Sequence, residues 1–150
     1  MSFLISEADR KKIINALSKD ASMEIAAIVQ YVYHEIMVDG PEAAALSGVW
    51  EGVAKEEMDH LEKLAERIDY LGGIPPSKPA PIMMGGNLAK MLQDDIDAER
   101  SAIKSYKEHI KLAEEIGDTT TRLMLEEIQS EEEGHAYKFE TFARKGIKTK

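Results

Sequence analysis

Residues 20–60 read DASMEIAAIVQYVYHEIMVDGPEAAALSGVWEGVAKEEMDH, and residues 95–135 read DIDAERSAIKSYKEHIKLAEEIGDTTTRLMLEEIQSEEEGH. Laid over one another without a gap, at an offset of 75 residues, they match Asp20 to Asp95, Glu24 to Glu99, Tyr31 to Tyr106, His34 to His109, Glu57 to Glu132 and His60 to His135. A repeat at fixed offset marks two copies of one supersecondary unit. Residues three apart share a helix face, so Glu57 and His60 project together, as do Glu132 and His135. From Glu24 the chain climbs about 14 residues, turns, and descends about 16 to Glu57, which at about 1.5 Å per residue returns it to nearly the same height. Glu99 and Glu132 repeat this in the second half. Two such hairpins packed face to face bring four carboxylates and two imidazoles to one level inside a four-helix bundle.

The flanking sequence supplies the helix boundaries. Ser6 suits an N-cap, with Glu7 and Asp9 in the first turn, and apolar residues recur at helical spacing through Ile13, Leu17, Ala21, Ile25, Ile28, Val32 and Ile36. The first helix is expected over Glu7–Val38. Asp39-Gly40-Pro41 ends it, and Pro41 suits the first turn of a second helix that Gly72-Gly73 closes. The next segment, Gly73 to Gly86, reads GIPPSKPAPIMMGG and cannot be regular helix because of its prolines. An extended segment of this kind covers roughly 3.1 Å per residue, which suits a long crossover between the second and third helices. Asn87 caps a third helix to about Ile116, Gly117-Asp118 supplies a stop and a new cap, and a fourth helix is expected to about Arg144.

The length of 150 residues, with 43% hydrophobic and 31% charged residues, fits a single all-α domain spanning 1–150. A formal net charge of −9 favours a cation over nucleic acid as partner. Lys145, Lys148 and Lys150 are read as a solvated basic end. The absence of cysteine excludes disulfides, zinc ribbons, iron–sulfur clusters and thiol nucleophiles. No basic-then-apolar leader and no apolar run of membrane-spanning length are evident, so a cytoplasmic location away from membranes is expected.

Six oxygen and nitrogen ligands without thiolates suit two iron ions, with manganese or zinc as other metals that the same donors accept. A Glu from each of two helices plus Glu-x-x-His from each of the other two is the known ligand pattern of di-iron and di-manganese carboxylate bundles, so the assignment is a match to that pattern. The expected metal ligands are Glu24, Glu57, His60, Glu99, Glu132 and His135. Tyr31 and Tyr106 lie seven residues beyond a ligand glutamate, about 10.5 Å along the same face, where either could donate an electron. Asp20 and Asp95 are placed to accept the second ring N–H of a ligating histidine. Trp50, seven before Glu57, is expected to roof the site. His34 and His109 drift off the ligand face.

On these residues the chain resembles the ferritin-like superfamily, and within it the bacterioferritins and Dps-like mini-ferritins. Glu24-Ile-Ala-Ala-Ile-Val-Gln-Tyr31-Val-Tyr-His34 resembles the first bacterioferritin helix, Glu57-Met-Asp-His60 the second, and Glu132-Glu-Gly-His135 the fourth. The resemblance implies that Glu57 and Glu132 bridge two ions while Glu24 with His60 and Glu99 with His135 complete the two sites. Met58 stands where bacterioferritins place a haem-ligating methionine, which implies haem b as a further cofactor. The chain departs from that family at Gly52 and Glu56, where an inner-surface iron site has His and Asp. It also lacks the short fifth helix, which points to a smaller Dps-like shell. Ser101 and Ile110 replace the cysteine pair of the archaeal Dps-like proteins.

The function so implied is oxidation of Fe(II) by O2 or H2O2, a ferroxidase activity, with storage of ferric mineral in a homo-oligomeric shell of 12 or 24 subunits. A di-metal redox enzyme without a mineral store, such as a peroxidase or manganese catalase, would use the same six ligands. A structural bundle would leave them incidental.

Overall fold

The computed structural model describes residues 4–147, with the side chains of 145–147 left out of the description. Lys145, Lys148 and Lys150, read above as a solvated end, therefore have side chains outside the described residues. Four long helices carry the chain: α1 over Glu7–Met37, α2 over Ala43–Tyr70, α3 over Leu88–Ile116 and α4 over Thr119–Thr141, which continues into a π-helical segment at Phe142–Ile147. The described residues include no strand. Among them, no helix is long and apolar enough to cross a membrane.

The three polar caps expected from sequence are made. Ser6 accepts from the Asp9 N–H, Asn87 from Lys90 and Asp118 from Thr121, each meeting one of the amides that a helix start leaves unpaired. Gly117 ends α3 at φ 89°, a left-handed conformation open to glycine at little cost, and its N–H returns to the Ala113 and Glu114 carbonyls. Two boundaries differ from expectation. Gly40 to Ala43 close a turn through Ala43 N–H to the Gly40 carbonyl at 3.2 Å, so α2 begins at Ala43 rather than Pro41. The α-helical part of the fourth helix stops at Thr141, where the hydrogen-bonding pattern widens to the π form before Arg144.

The segment from Gly73 to Gly86 keeps to α1 along much of its length. A Cβ at Gly73 would sit 2.8 Å from the Ile14 side chain, which is why this close approach needs glycine. Farther on, Ala80 N–H donates to the Ser22 carbonyl and Met83 N–H to Gln30 Oε1, both at 2.9 Å, and Gly85 lies against Met37. These proline-rich residues thus find their hydrogen bonds outside any regular element.

Two apolar clusters flank a polar layer. One gathers Ile13, Leu17, Leu64, Ile68, Leu125 and Ile128, the other Leu46, Trp50, Val53, Leu92, Ile96 and Phe139. Along every helix the sequence crosses from one cluster to the other at a buried glutamate: Glu24, Glu57, Glu99 and Glu132. Hydrophobic burial on both sides holds the helices together around groups that oppose their own burial.

Candidate metal centre

α1 and α3 each supply one glutamate to this layer, while α2 and α4 each supply Glu and His one turn apart. His60 Nδ1 lies 3.1 Å from Glu57 Oε1, 3.2 Å from Glu132 Oε1 and 3.8 Å from Glu24 Oε2. His135 Nδ1 lies 3.1 Å from both Glu57 Oε1 and Glu132 Oε1 and 3.6 Å from Glu99 Oε1. Two sets of four residues could each hold a metal ion, Glu24-Glu57-His60-Glu132 and Glu57-Glu99-Glu132-His135, with donor atoms within 4.8 Å of one another. Glu57 and Glu132 are common to both. All six residues are at most 1% exposed.

The fit of metal to these residues rests on atoms left without partners. Glu24 Oε2, Glu57 Oε1, Glu99 Oε2, both Glu132 oxygens and Nδ1 of His60 and His135 have no hydrogen-bond partner among the described residues. Buried polar atoms are otherwise nearly always paired, and each unpaired one costs roughly 1–3 kcal/mol. The seven atoms belong to the two four-residue sets and can meet one another only by retaining protons, whereas divalent cations satisfy oxygen and imidazole donors of this kind directly.

Electrostatics tells the same story. Burial, with the Glu132 charge added, raises Glu24 and lifts Glu99 to about 8. Burial and the neighbouring glutamates push Glu57 far above the carboxylate range. Burial also acts upward on Glu132, but its contacts with Glu57 and the two histidines outweigh it and hold this carboxyl below its ordinary value. Burial opposes charge on His60 and His135, yet the facing carboxylates win and raise both. Without a cation the cluster therefore retains protons that an ion would displace.

Around the ligands, contacts cross between the two halves. Tyr31 OH donates to Glu99 Oε1 at 2.6 Å and Tyr106 OH to Glu24 Oε1 at 2.5 Å, so each tyrosine serves the glutamate of the opposite half, not the one on its own helix. Burial and the adjacent carboxylates raise both phenols, which keeps them protonated as donors. Asp20 and Asp95 pair with other histidines than His60 and His135, where sequence spacing had placed them. Asp95 meets His34 Nδ1 at 2.9 Å and accepts from Gln30 and Trp50, while Asp20 meets His109 Nδ1 at 2.7 Å and accepts from Ser105. The reason is the antiparallel pairing of α1 with α3, which sets Asp20 beside His109 and His34 beside Asp95. Trp50 accordingly gives its indole N–H to Asp95, not to the ligand layer.

The outer nitrogens of His60 and His135 face two residues to which the sequence reading gave no part in this centre. His60 Nε2 is 3.0 Å from Glu131 Oε2, and His135 Nε2 is 2.7 Å from Glu56 Oε2. The signal was present, since Glu56 and Glu131 also stand 75 residues apart, each just before a ligand glutamate. Met58 lies on the outer side of α2, 51% exposed and apart from the six clustered residues.

A cavity of about 320 Å³ opens between α1, α3 and residues 80–83. Met23, Ala27, Ala98 and Met83 line its apolar wall, Asp94 and Asp97 add charge, and it reaches Glu24, Glu57, Glu99 and Glu132. Small helix residues at Ala27 and Ala98 leave this approach to the polar layer open.

Comparison with known proteins agrees with this geometry. The Ferritin family model, described as a ferritin-like domain, matches residues 14–148. The bacterioferritin of Desulfovibrio desulfuricans is 34% identical over 134 residues, covering 88% of this chain and 75% of the relative. The X-ray structure of the bacterioferritin from that species, which follows its diiron site in different catalytic states, superposes with a TM-score of 0.88 at 30% identity, covering 94% of this chain and 84% of that one. A ferritin-like diiron-carboxylate protein from Bacillus anthracis superposes with a TM-score of 0.89 at 26% identity, covering 92% and 99% of the two chains. With its helices, its paired Glu-x-x-His motifs and its similarity to bacterioferritin in one frame, this chain belongs to the ferritin-like family.

Proposed function

We propose that this protein oxidises Fe(II) at a paired-iron centre formed by Glu24, Glu57, His60, Glu99, Glu132 and His135, and stores the ferric product in a homo-oligomeric shell in the cytoplasm. The observation that carries this reading is the convergence of four buried carboxylates and two imidazoles whose donor atoms lack partners among the described residues. Similarity to bacterioferritin supports iron over the redox-enzyme reading of the same ligands. Two bound irons supply the chemistry of a two-electron event, in which O2 or H2O2 is reduced without release of a one-electron radical. Glu57 and Glu132, common to both ligand sets, would bridge the pair. The cavity between α1 and α3 is the approach for Fe(II) and oxidant, with Asp94 and Asp97 favouring the cation.

The test is aerobic loading with excess Fe(II), followed by counting the iron that co-elutes with protein on a sizing column. Retention of many more than two irons per chain in a large particle is expected. A plateau near two per chain in a small species would replace storage by a redox enzyme at the same centre.

The tyrosines give a second readout. A hydrogen bond to a charged group is worth about 1.5–3 kcal/mol, so Tyr31→Phe and Tyr106→Phe should each slow Fe(II) oxidation about tenfold or more. Stopped-flow absorbance reads the rate. Each variant should still bind two irons per chain at saturation, and an unchanged rate in both would remove the hydroxyls from the chemistry.

A further inference from the structure

We infer that Glu56 and Glu131, outside the six ligands, are positioning residues that lock the ligating tautomer of the histidine on the opposite helix. The inference rests on the paired-metal reading above and adds two residues to it. In each ring Nδ1 faces the inner carboxylates, while Nε2 meets a single glutamate: Glu131 for His60 at 3.0 Å and Glu56 for His135 at 2.7 Å. A neutral imidazole carries one proton on one of two nitrogens, and only the nitrogen without it can bind a metal. A carboxylate at Nε2 holds the proton there, leaves the Nδ1 lone pair directed inward, and makes that nitrogen a better donor.

Three features set these contacts apart from ordinary surface ion pairs. Both rings are buried, at 0% and 1% side-chain exposure, whereas Glu131 and Glu56 are 37% and 42% exposed, so the carboxylates remain hydrated while orienting a buried donor. The contacts are reciprocal, each running between α2 and α4. They also follow the repeat, since Glu56 and His60 stand at the same offset from Glu131 and His135 as the ligands do. One step along the helix from Glu57 or Glu132 turns a side chain by about 100°, off the ligand face and toward the neighbouring helix. That turn is what lets each glutamate reach the far histidine instead of the ion.

The experiment titrates the full-length protein with Co(II) without oxygen, reading affinity by calorimetry and ligand geometry from the Co(II) visible spectrum. Glu131→Ala should weaken the site that contains His60, and Glu56→Ala the site that contains His135, each by roughly 10- to 100-fold and with an altered spectrum. Glu56→Gln and Glu131→Gln, whose amide oxygen still accepts the Nε2 proton, should recover part of that loss. A double Ala variant that binds two Co(II) with wild-type affinity and spectrum overturns the positioning role and leaves the metal centre standing. Wild-type protein that binds no Co(II) overturns the metal reading itself, and the positioning role with it.

Discussion

Glu57→Gln is expected to fold normally, to weaken metal binding by more than about 100-fold, beyond the range typical of residues that only support a ligand, and to reduce Fe(II) oxidation to the rate in buffer. Glu57 Oε1 lies 3.1 Å from the inner nitrogens of both His60 and His135, so one carboxyl belongs to both halves of the centre. An amide of the same shape keeps the packing and loses an anionic donor. In metal-free protein burial already pushes Glu57 toward its neutral acid, so a neutral amide there costs the fold little. Glu132→Gln should behave differently. Glu132 is held below the ordinary carboxylate range among Glu57, His135 and His60, so its loss removes the ionised carboxylate that faces the Nδ1 atoms of both imidazoles. Breaking one partner of a buried ionic group costs about 3–5 kcal/mol. Equilibrium dialysis and thermal melts of the two metal-free variants separate the cases. Retention of two irons by Glu57→Gln would sink the shared-ligand assignment.

Stripping the metals should lower the melting temperature, and more at pH 8 than at pH 5. Each ion present at a thousand times its Kd adds about 4 kcal/mol, hence about 8 for two. For a chain of this size that is roughly 15–30 °C. The pH sense follows from the raised groups. Glu24, Glu57 and Glu99 have folded values above their unfolded ones, so their contribution to the metal-free fold is full below about pH 4.5 and is lost as pH climbs, for Glu99 through about 8. His60 and His135 are raised as well, so their contribution declines above the ordinary histidine value of about 6.5. Glu132 is lowered and contributes in the opposite sense, but its loss falls on the acid side of this window. Between pH 5 and 8 the unfolded chain thus binds fewer protons than the folded one, and metal-free stability falls. Loading releases those protons, so the loaded protein does not share this decline toward pH 8. Melts of stripped and loaded protein across this range test it. A stripped protein that gains stability toward pH 8 would mean the carboxylates are not held protonated by burial.

The convergence of the six candidate ligands was legible because its geometry is local. Glu57 with His60 and Glu132 with His135 are one-turn pairs on single helices, and the common height of Glu24, Glu57, Glu99 and Glu132 follows from counting residues at a fixed rise. The caps at Ser6, Asn87 and Asp118 were legible for the same reason, since a cap involves only three or four consecutive residues. Asp20 and Asp95 show where such counting stops. Their spacing placed them near a candidate ligand histidine in height, but the antiparallel pairing of α1 with α3 sets Asp20 beside His109 and Asp95 beside His34.

From its own residues, then, the chain determined four helices, the caps that start three of them, and a level at which six candidate metal ligands meet. The tertiary structure alone decided that Tyr31 serves Glu99 and Tyr106 serves Glu24, that Glu131 and Glu56 face the outer nitrogens of His60 and His135, and that a cavity between α1 and α3 reaches the polar layer. Helical rise and periodicity fix where a side chain stands along its own axis. Which neighbour it meets depends on the rotation and separation of two packed helices, and these are set by the whole apolar interior.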